Sequence, residues 1–300
     1  MHRRLILITG APRTGTTVVG EYLSGCSGVG ELYEPMNANV GDRAVQNQFE
    51  IVGAGGFSTE VASDLIERIR RGKLHTKSPQ NANRNRFLNR TKRTALSARY
   101  WPFYRTLVWK DPFAIFLAPE VAARGDIPVI VTIRDPLSVT GSFKRMNWTA
   151  PIADLIARME EAGLKPPEAA RTLLAQEQTP ARAGMILWHL VHAELLRWLD
   201  AGVPLTPILT TDILTQPERF TATIKQSTGL EIKAPPGPEV APIPPNEDLP
   251  DKAHIKQRNL DNVSSYWKKV LTEDEAAECR ALNDKQWATL AATIRNSDAQ

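Results

Sequence analysis

Leu5-Ile6-Leu7-Ile8, followed after Thr9 by Gly10-Ala11-Pro12-Arg13-Thr14-Gly15-Thr16-Thr17, decides how the rest of the chain is read. A four-residue apolar run ended by glycine is the pattern of a short strand buried on both faces. The glycines beyond it let the backbone wrap closely around a phosphate. The segment Thr16–Ser24 reads as a helix whose start offers unpaired N–H groups and partial positive charge. The spacing is that of a phosphate-binding loop, G-x-x-x-x-G-K-[ST]. Here Thr16 stands where the lysine belongs, and Arg13 supplies a cation three residues earlier. A nucleoside-triphosphate enzyme needs that lysine against the β- and γ-phosphates, so its absence counts against an ordinary ATPase.

Outward from this loop, strands alternate with helices. A weaker strand is read over 30–33, a helix over 57–71, a strand over 106–109 and a helix over 113–123. The strongest strand signal is 128–133, followed by a helix over 137–146 and one or two amphipathic helices within 152–178. A long apolar helix over 181–199, a strand over 207–211 and helices over 218–228 and from 273 to about 290 complete the pattern. This predicts an α/β fold of three layers, a P-loop-type central parallel sheet flanked by helices. One domain is expected over 1–300. It carries a basic insertion over 68–105, of which 81–105 shows no clear period. A linker over 234–250 holds seven prolines, and a C-terminal segment over 251–300 is apolar enough to dock back.

The balance of 42% hydrophobic and 23% charged residues suits a globular chain with a sizeable core. The net charge of +4 hides an asymmetry. From Arg68 through Lys110 there are 13 Lys or Arg residues and no acid, which leaves 24 basic against 33 acidic residues elsewhere. A bare positive stretch points to an anionic partner, though a basic surface loop of no function fits it as well. Cys26 and Cys279 are too few for a disulfide framework. Met1-His2-Arg3-Arg4 resembles the start of a signal peptide, but the apolar run behind it is too short, and nothing approaches a membrane span. The expectation is a cytoplasmic protein, with peripheral membrane contact through the basic stretch as an extension of it.

A second signal is Ile130-Val131-Thr132-Ile133-Arg134-Asp135-Pro136, with Ser142 eight residues beyond Arg134. An arginine leaving a buried strand meets the carboxyl edge of the sheet, where α/β proteins bind ligands. Ser142 falls two turns into the next helix and can set a hydroxyl beside the same anion. A guanidinium with a hydroxyl suits a phosphate monoester, while Arg134 could equally cap a helix or pair with an acid.

Together the two signals resemble the sulfotransferases that use 3′-phosphoadenosine-5′-phosphosulfate (PAPS). Their phosphosulfate loop, P-[KR]-[ST]-G-[ST]-T, is matched by Pro12, Arg13, Thr14, Gly15, Thr16 and Thr17. Their 3′-phosphate motif is matched by Arg134 and Ser142. Glu34-Pro35 and Lys110-Asp111-Pro112 are similar to pieces of the bacterial and carbohydrate branches. The resemblance runs from Leu5 to Met146, about half the chain. Many members close the nucleotide with a cationic segment just before a tryptophan. Ahead of Trp267 the nearest cations are Lys256 and Arg258, and Arg258 is the candidate here.

The resemblance implies PAPS as co-substrate, its product 3′-phosphoadenosine-5′-phosphate (PAP), and no required metal. The implied acceptor is a hydroxylated molecule, neutral or anionic, such as a glycan or glycolipid, and no nucleic acid is implied. Arg13 would neutralise the departing oxygen, Lys110 would be a cation near the sulfuryl group, and Glu34 would be the general base. Glu31 and His75 are the alternative bases. An ion pair remains an alternative for Glu34, and for Lys110 a pair with Asp111 or another acid. Trp101, Phe103, Tyr104 and Trp148 flank these regions and could stack on sugar faces or belong to the core. Two rival readings stand beside this one, a small-molecule kinase using ATP and a non-catalytic nucleotide-binding protein of the same fold.

Overall fold

The computed structural model describes residues 3–77, 89–234 and 265–296. Five parallel strands form the sheet: β1 (Arg4–Thr9), β2 (Val29–Tyr33), β3 (Thr106–Lys110), β4 (Val129–Ile133) and β5 (Thr206–Leu209). Their spatial order is β2-β3-β1-β4-β5, so β1 is central, and β3 and β4 flank it. Alternation along β1 sorts its side chains between two cores. Leu5 and Leu7 join the larger cluster on one face, and Ile6 and Ile8 the smaller cluster on the other.

The smaller face is covered by α1 (Thr16–Ser24), which contributes Val19 and Leu23, and by α10 (Pro217–Thr228), which contributes Phe220 and Ile224. A one-turn helix α9 (Asp212–Thr215) leads into the latter. The opposite face carries α2 (Thr59–Arg70), α4 (Ala118–Ala122), α5 (Pro136–Met146), α6 (Ile152–Glu161) and α8 (Pro180–Asp200), with the short α7 (Glu168–Leu174) packed outside. Local chemistry sets their starts. Ser58, Asp135 and Thr179 each accept a backbone N–H in the first turn of α2, α5 and α8, and proline occupies the first turn of the latter two.

Several boundaries differ from the sequence reading. The stretch over 81–105 is not an unpatterned insertion in its described part. Residues Arg90–Tyr100 form α3, capped by Asn89, with Thr91, Ala95 and Ala98 buried. The Thr94 hydroxyl accepts the Tyr33 N–H at 3.0 Å, so α3 closes the open edge of β2. Its periodicity escaped detection because alanine and threonine, not large apolar residues, face inward. The helix expected over 113–123 begins as a 3₁₀ turn, Pro112–Leu117, before α4, and β5 starts and ends earlier than expected. Residues 78–88 and the proline-rich linker from 235 onward, with Arg258, lie outside the described residues.

The tail docks over 265–296. A 3₁₀ turn (Tyr266–Lys269) and α11 (Glu273–Asn296) lie against α5 and α8. The approach at α5 is close. A methyl on Gly141 would stand 2.9 Å from the Trp267 Cβ, and Tyr266 donates its hydroxyl to the Ser138 carbonyl. Gly141→Val is therefore expected to cost about 1–3 kcal/mol by overpacking. It should release the tail to limited proteolysis before global unfolding. An unchanged melting temperature and cleavage pattern would show that this contact does not hold the tail.

Candidate active site

Because the strands are parallel, the loops after β1, β2, β3, β4 and β5 all leave at one edge of the sheet. The loop after β1 has an unusual backbone. Gly10 and Gly15 lie at φ 144° and 101°, and Arg13 takes φ 74° despite its side chain. Gly10 has no room for a Cβ, which would run into the Thr132 carbonyl and the Thr14 hydroxyl, and at Gly15 one would stand 2.7 Å from Thr210. Thr14, expected among the residues that touch a nucleotide, makes hydrogen bonds within the loop. Its N–H and hydroxyl both donate to the Ala11 carbonyl, at 3.2 and 2.6 Å, and the hydroxyl meets that of Thr132 at 2.8 Å. Pro12 and Thr16 are buried and Thr17 is half-buried, while α1 begins with no side-chain cap and no acid in its first turn.

The second motif comes to the same place. Asp135 and Pro136 start α5, which leaves Arg134 at the mouth of β4 and turns Ser142 inward. The Arg13 Nε donates to the Ser142 hydroxyl at 2.7 Å, and the Arg134 guanidinium lies 3.5 Å from the Arg13 carbonyl. Arg13 also lies 5.3 Å from the centre of the Trp148 ring, and Arg134 5.7 Å from that of Tyr266. The Arg134 carbonyl accepts the Trp188 indole N–H at 2.9 Å, so α8 holds the strand end from below. Thus Arg13, Arg134 and Ser142, far apart in the chain, form one cluster.

Beside it stands a second set of charges. Lys110 is buried, and its Nζ lies 2.8 Å from the Glu34 Oε1 and 4.0 Å from the centre of the Tyr33 ring. The lysine pairs with Glu34 and not with its neighbour Asp111. The other Glu34 oxygen accepts from the Asn37 amide at 3.0 Å, and Glu34 itself holds φ 49°. Such a conformation is costly for a residue with a side chain and is common at functional sites. Lys110 passes beneath α1, where a Cβ on Gly20 would be 3.1 Å from its stem.

The alternative bases are placed differently. Glu31 is bound through both oxygens by Arg90, at 3.0 and 3.2 Å, and Arg90 in turn lies 4.1 Å from the Tyr33 ring centre. The His75 side chain is exposed, and its backbone exchanges hydrogen bonds with Asp42 and Arg43. Trp101, Phe103 and Tyr104 precede β3 and stand at the opposite edge of the sheet, so of the four aromatics only Trp148 adjoins the site. Sequence reasoning passed over Tyr33, Tyr266 and Trp188 as neighbours of the site. Tyr33 directly precedes Glu34, which was the available signal; for the other two only the packing reveals the contact.

Asp111 ties the parts together. Its carboxylate accepts N–H groups from Met36, from the Trp109 indole at 3.2 Å and from Phe113 at 3.0 Å. Burial, and then the charge of Glu34, push this carboxyl up to about 7, against the three donors that favour its ionised form. Among the described residues no cluster of His, Cys, Asp or Glu could hold a metal, and no helix is long and apolar enough to cross a membrane.

A glycine loop at a helix start, with two arginines and a serine at the switch point of a parallel sheet, defines an α/β protein of the P-loop kind. A model of the sulfotransferase family matches residues 6–194, and the chain belongs to that family. It is thus a transferase of the sulfotransferase type. Solved structures similar to it include the sulfotransferase domain from the curacin biosynthetic pathway, at 15% identity over 94% of this chain and 97% of that one, with TM-score 0.44. Another is a sulfotransferase from Alicyclobacillus acidocaldarius, at 15% identity over 98% and 96%, with TM-score 0.45. No curated protein matches the chain.

The raised Asp111 carboxyl makes a prediction about stability. A group that binds its proton more tightly when folded stabilises fully at pH below its unfolded value near 3.8, and that contribution is lost as pH rises towards 7. Between those limits Asp111 should make folding stability fall with rising pH. Asp111→Asn should be less stable throughout, since one acceptor is lost, but should show a flatter pH dependence in thermal melts. Equal slopes in the two proteins would remove Asp111 as the titrating group.

Proposed function

We propose that the enzyme transfers a sulfuryl group from PAPS to an acceptor hydroxyl on a glycan, glycolipid or other small hydroxylated molecule. The observation that carries this reading is the meeting of Arg13, Arg134 and Ser142, with Arg13 Nε and Ser142 Oγ at 2.7 Å, over an uncapped helix start. The donor set fits a nucleotide with two separate anionic groups. It consists of N–H groups, guanidiniums and hydroxyls, and Asp135, next to Arg134 in the chain, caps α5. When bound, PAPS supplies the sulfuryl group and the leaving phosphate.

In this reading the amides of the loop and the start of α1, with Thr16 and Thr17, hold the 5′-phosphate. Arg134 and Ser142 hold the 3′-phosphate, a group that ATP lacks. Arg13, from the loop after β1, would place its charge where the leaving oxygen becomes negative. In a loose, in-line transfer such fixed charge and positioning supply most of the rate. Glu34 takes the proton of the acceptor hydroxyl, and Lys110, 2.8 Å away, orients that carboxylate and brings positive charge to the same spot. Trp148, partly exposed beside Arg13, is a surface for the acceptor. Arg258 remains the candidate for closing the nucleotide, and the protein is read as acting in the cytoplasm.

Cofactor choice is the first test. PAP should raise the melting temperature far more than adenosine 5′-phosphate, and Arg134→Ala should lose about 2–4 kcal/mol of PAP binding as a charge-assisted contact disappears. Equal binding of the two nucleotides by the unmodified protein, or a preference for ATP with magnesium, would favour the kinase reading.

The chemical step is tested separately by single turnover. Glu34→Gln should keep PAP affinity while transfer falls by roughly 10² to 10⁴, the usual worth of a positioned base. Arg13→Ala should lower both the rate and the nucleotide affinity. Near-normal turnover in Glu34→Gln, together with loss in Glu31→Gln or His75→Asn, would move the base and leave the reaction class in place. Binding of PAP with no transfer to any hydroxyl would support the non-catalytic alternative.

A further inference from the structure

The edge of the sheet opposite the active site has its own chemistry. There the turn between α3 and β3 leaves Tyr100, Trp101 and Phe103 with 69%, 51% and 68% of their surfaces exposed, beside Leu96 at 38%. Among the described residues only Val18 and Trp148 are other large hydrophobics so exposed. The turn is well anchored. Trp101 donates its N–H to Ser97 at 2.9 Å, the Trp101 and Phe103 rings meet edge to face at 5.6 Å, and the Arg3 guanidinium binds the Ala98 and Trp101 carbonyls. These side chains are therefore presented on a fixed backbone.

Cations ring this apolar cluster. Arg99 and Arg105 are exposed at the end of α3 and in the turn. Arg71 and Lys73 are also exposed, and they are drawn in because Gly72 abuts the end of α3, where a Cβ would stand 2.9 Å from Ala98. No acid occurs from Arg68 through Lys110. The acids of neighbouring elements at this edge are paired, Asp126 with Arg70, Glu67 with Arg124, and Glu231 with Lys225.

We propose that this turn docks the protein on an anionic lipid bilayer. Aromatic and leucine side chains would enter the boundary between headgroups and acyl chains, and the surrounding arginines and lysines would meet lipid phosphates. A nucleic acid or an anionic polysaccharide could use the cations and stack on the rings, but it offers nothing to Leu96. The proposal does not depend on the reaction assigned above. It has a geometric consequence for it. Strands of five or six residues at about 3.3 Å each set the glycine loop on the order of 20 Å from the docked edge. The active site then opens away from the bilayer, and an acceptor is met on the aqueous side.

The test is co-sedimentation of the full chain with vesicles of phosphatidylcholine alone and of phosphatidylcholine mixed with phosphatidylglycerol, at low and high salt. Binding should require the anionic lipid and weaken with salt. It should fall about tenfold or more in both Arg99→Glu/Arg105→Glu and Trp101→Ser/Phe103→Ser. Melting temperatures should stay near that of the unmodified protein, since all four residues are exposed. Several results would overturn the proposal. One is absence of binding, or equal binding to neutral vesicles. A second is loss in the charge variant with none in the aromatic variant, the behaviour of a general polyanion site. A third is marked destabilisation of Trp101→Ser/Phe103→Ser, which would mean that the turn packs within the protein.

Discussion

At Gly10 the centre of the sheet leaves no space for anything larger than hydrogen. The Thr132 carbonyl of β4 stands where a Cβ would lie, and the hydroxyls of Thr14 and Thr132 close the same gap with a hydrogen bond of 2.8 Å. This crowding forces the chain out of β1 at a left-handed angle and turns it back on itself before α1. The Arg13 backbone is held at φ 74° as a result, and its side chain is thrown towards Ser142. The placement of the first arginine is thus a consequence of how tightly β1 and β4 approach. The second arginine follows from the same pair of strands, because Arg134 is the residue after β4.

Two acid–base pairs beside the site are kept apart by their elements. Arg90 from α3 takes Glu31, and this leaves Lys110 to Glu34. Had the partners been exchanged, the carboxylate at the mouth of β2 would have been locked by a helix and the one under α1 left beside the lysine. The Asp111 carboxylate meanwhile gathers N–H groups from Met36, Trp109 and Phe113 and so fixes the loop that carries Glu34. A buried ion pair is not by itself a source of much stability, since desolvation offsets most of its attraction. Its retention beside a strained Glu34 backbone fits a requirement for position.

The two ends of one parallel sheet also divide the surface by charge and polarity. The carboxyl edge gathers the side chains of Arg13, Arg134, Ser142, Glu34 and Lys110. The amino edge carries rings and cations on a convex turn, supported by β1 through Arg3 and by α3. Because the strands between them are stiff and short, whatever meets one edge fixes the direction in which the other faces. That coupling requires no moving part.

The sequence by itself determined the strand, glycine loop and helix from Leu5 onward, the parallel α/β class, and the position of Arg134 at the end of one strand with Ser142 two turns into the next helix. Each of these is local, written in period, glycine position and residue spacing within one element or its neighbour. What only the tertiary structure decided involves distant contacts. The contact of the Thr14 hydroxyl with Thr132, 118 residues away, is one of them. Lys110 finds Glu34 and not Asp111 because β2 and β3 pair in register with Tyr33 opposite Lys110. The inward face of α3 is made of small residues, so its helical period is faint and only its packing on β2 discloses it. Trp101 and Phe103, near Lys110 in the chain, lie a strand length from it, because a strand carries consecutive residues to opposite edges of the sheet.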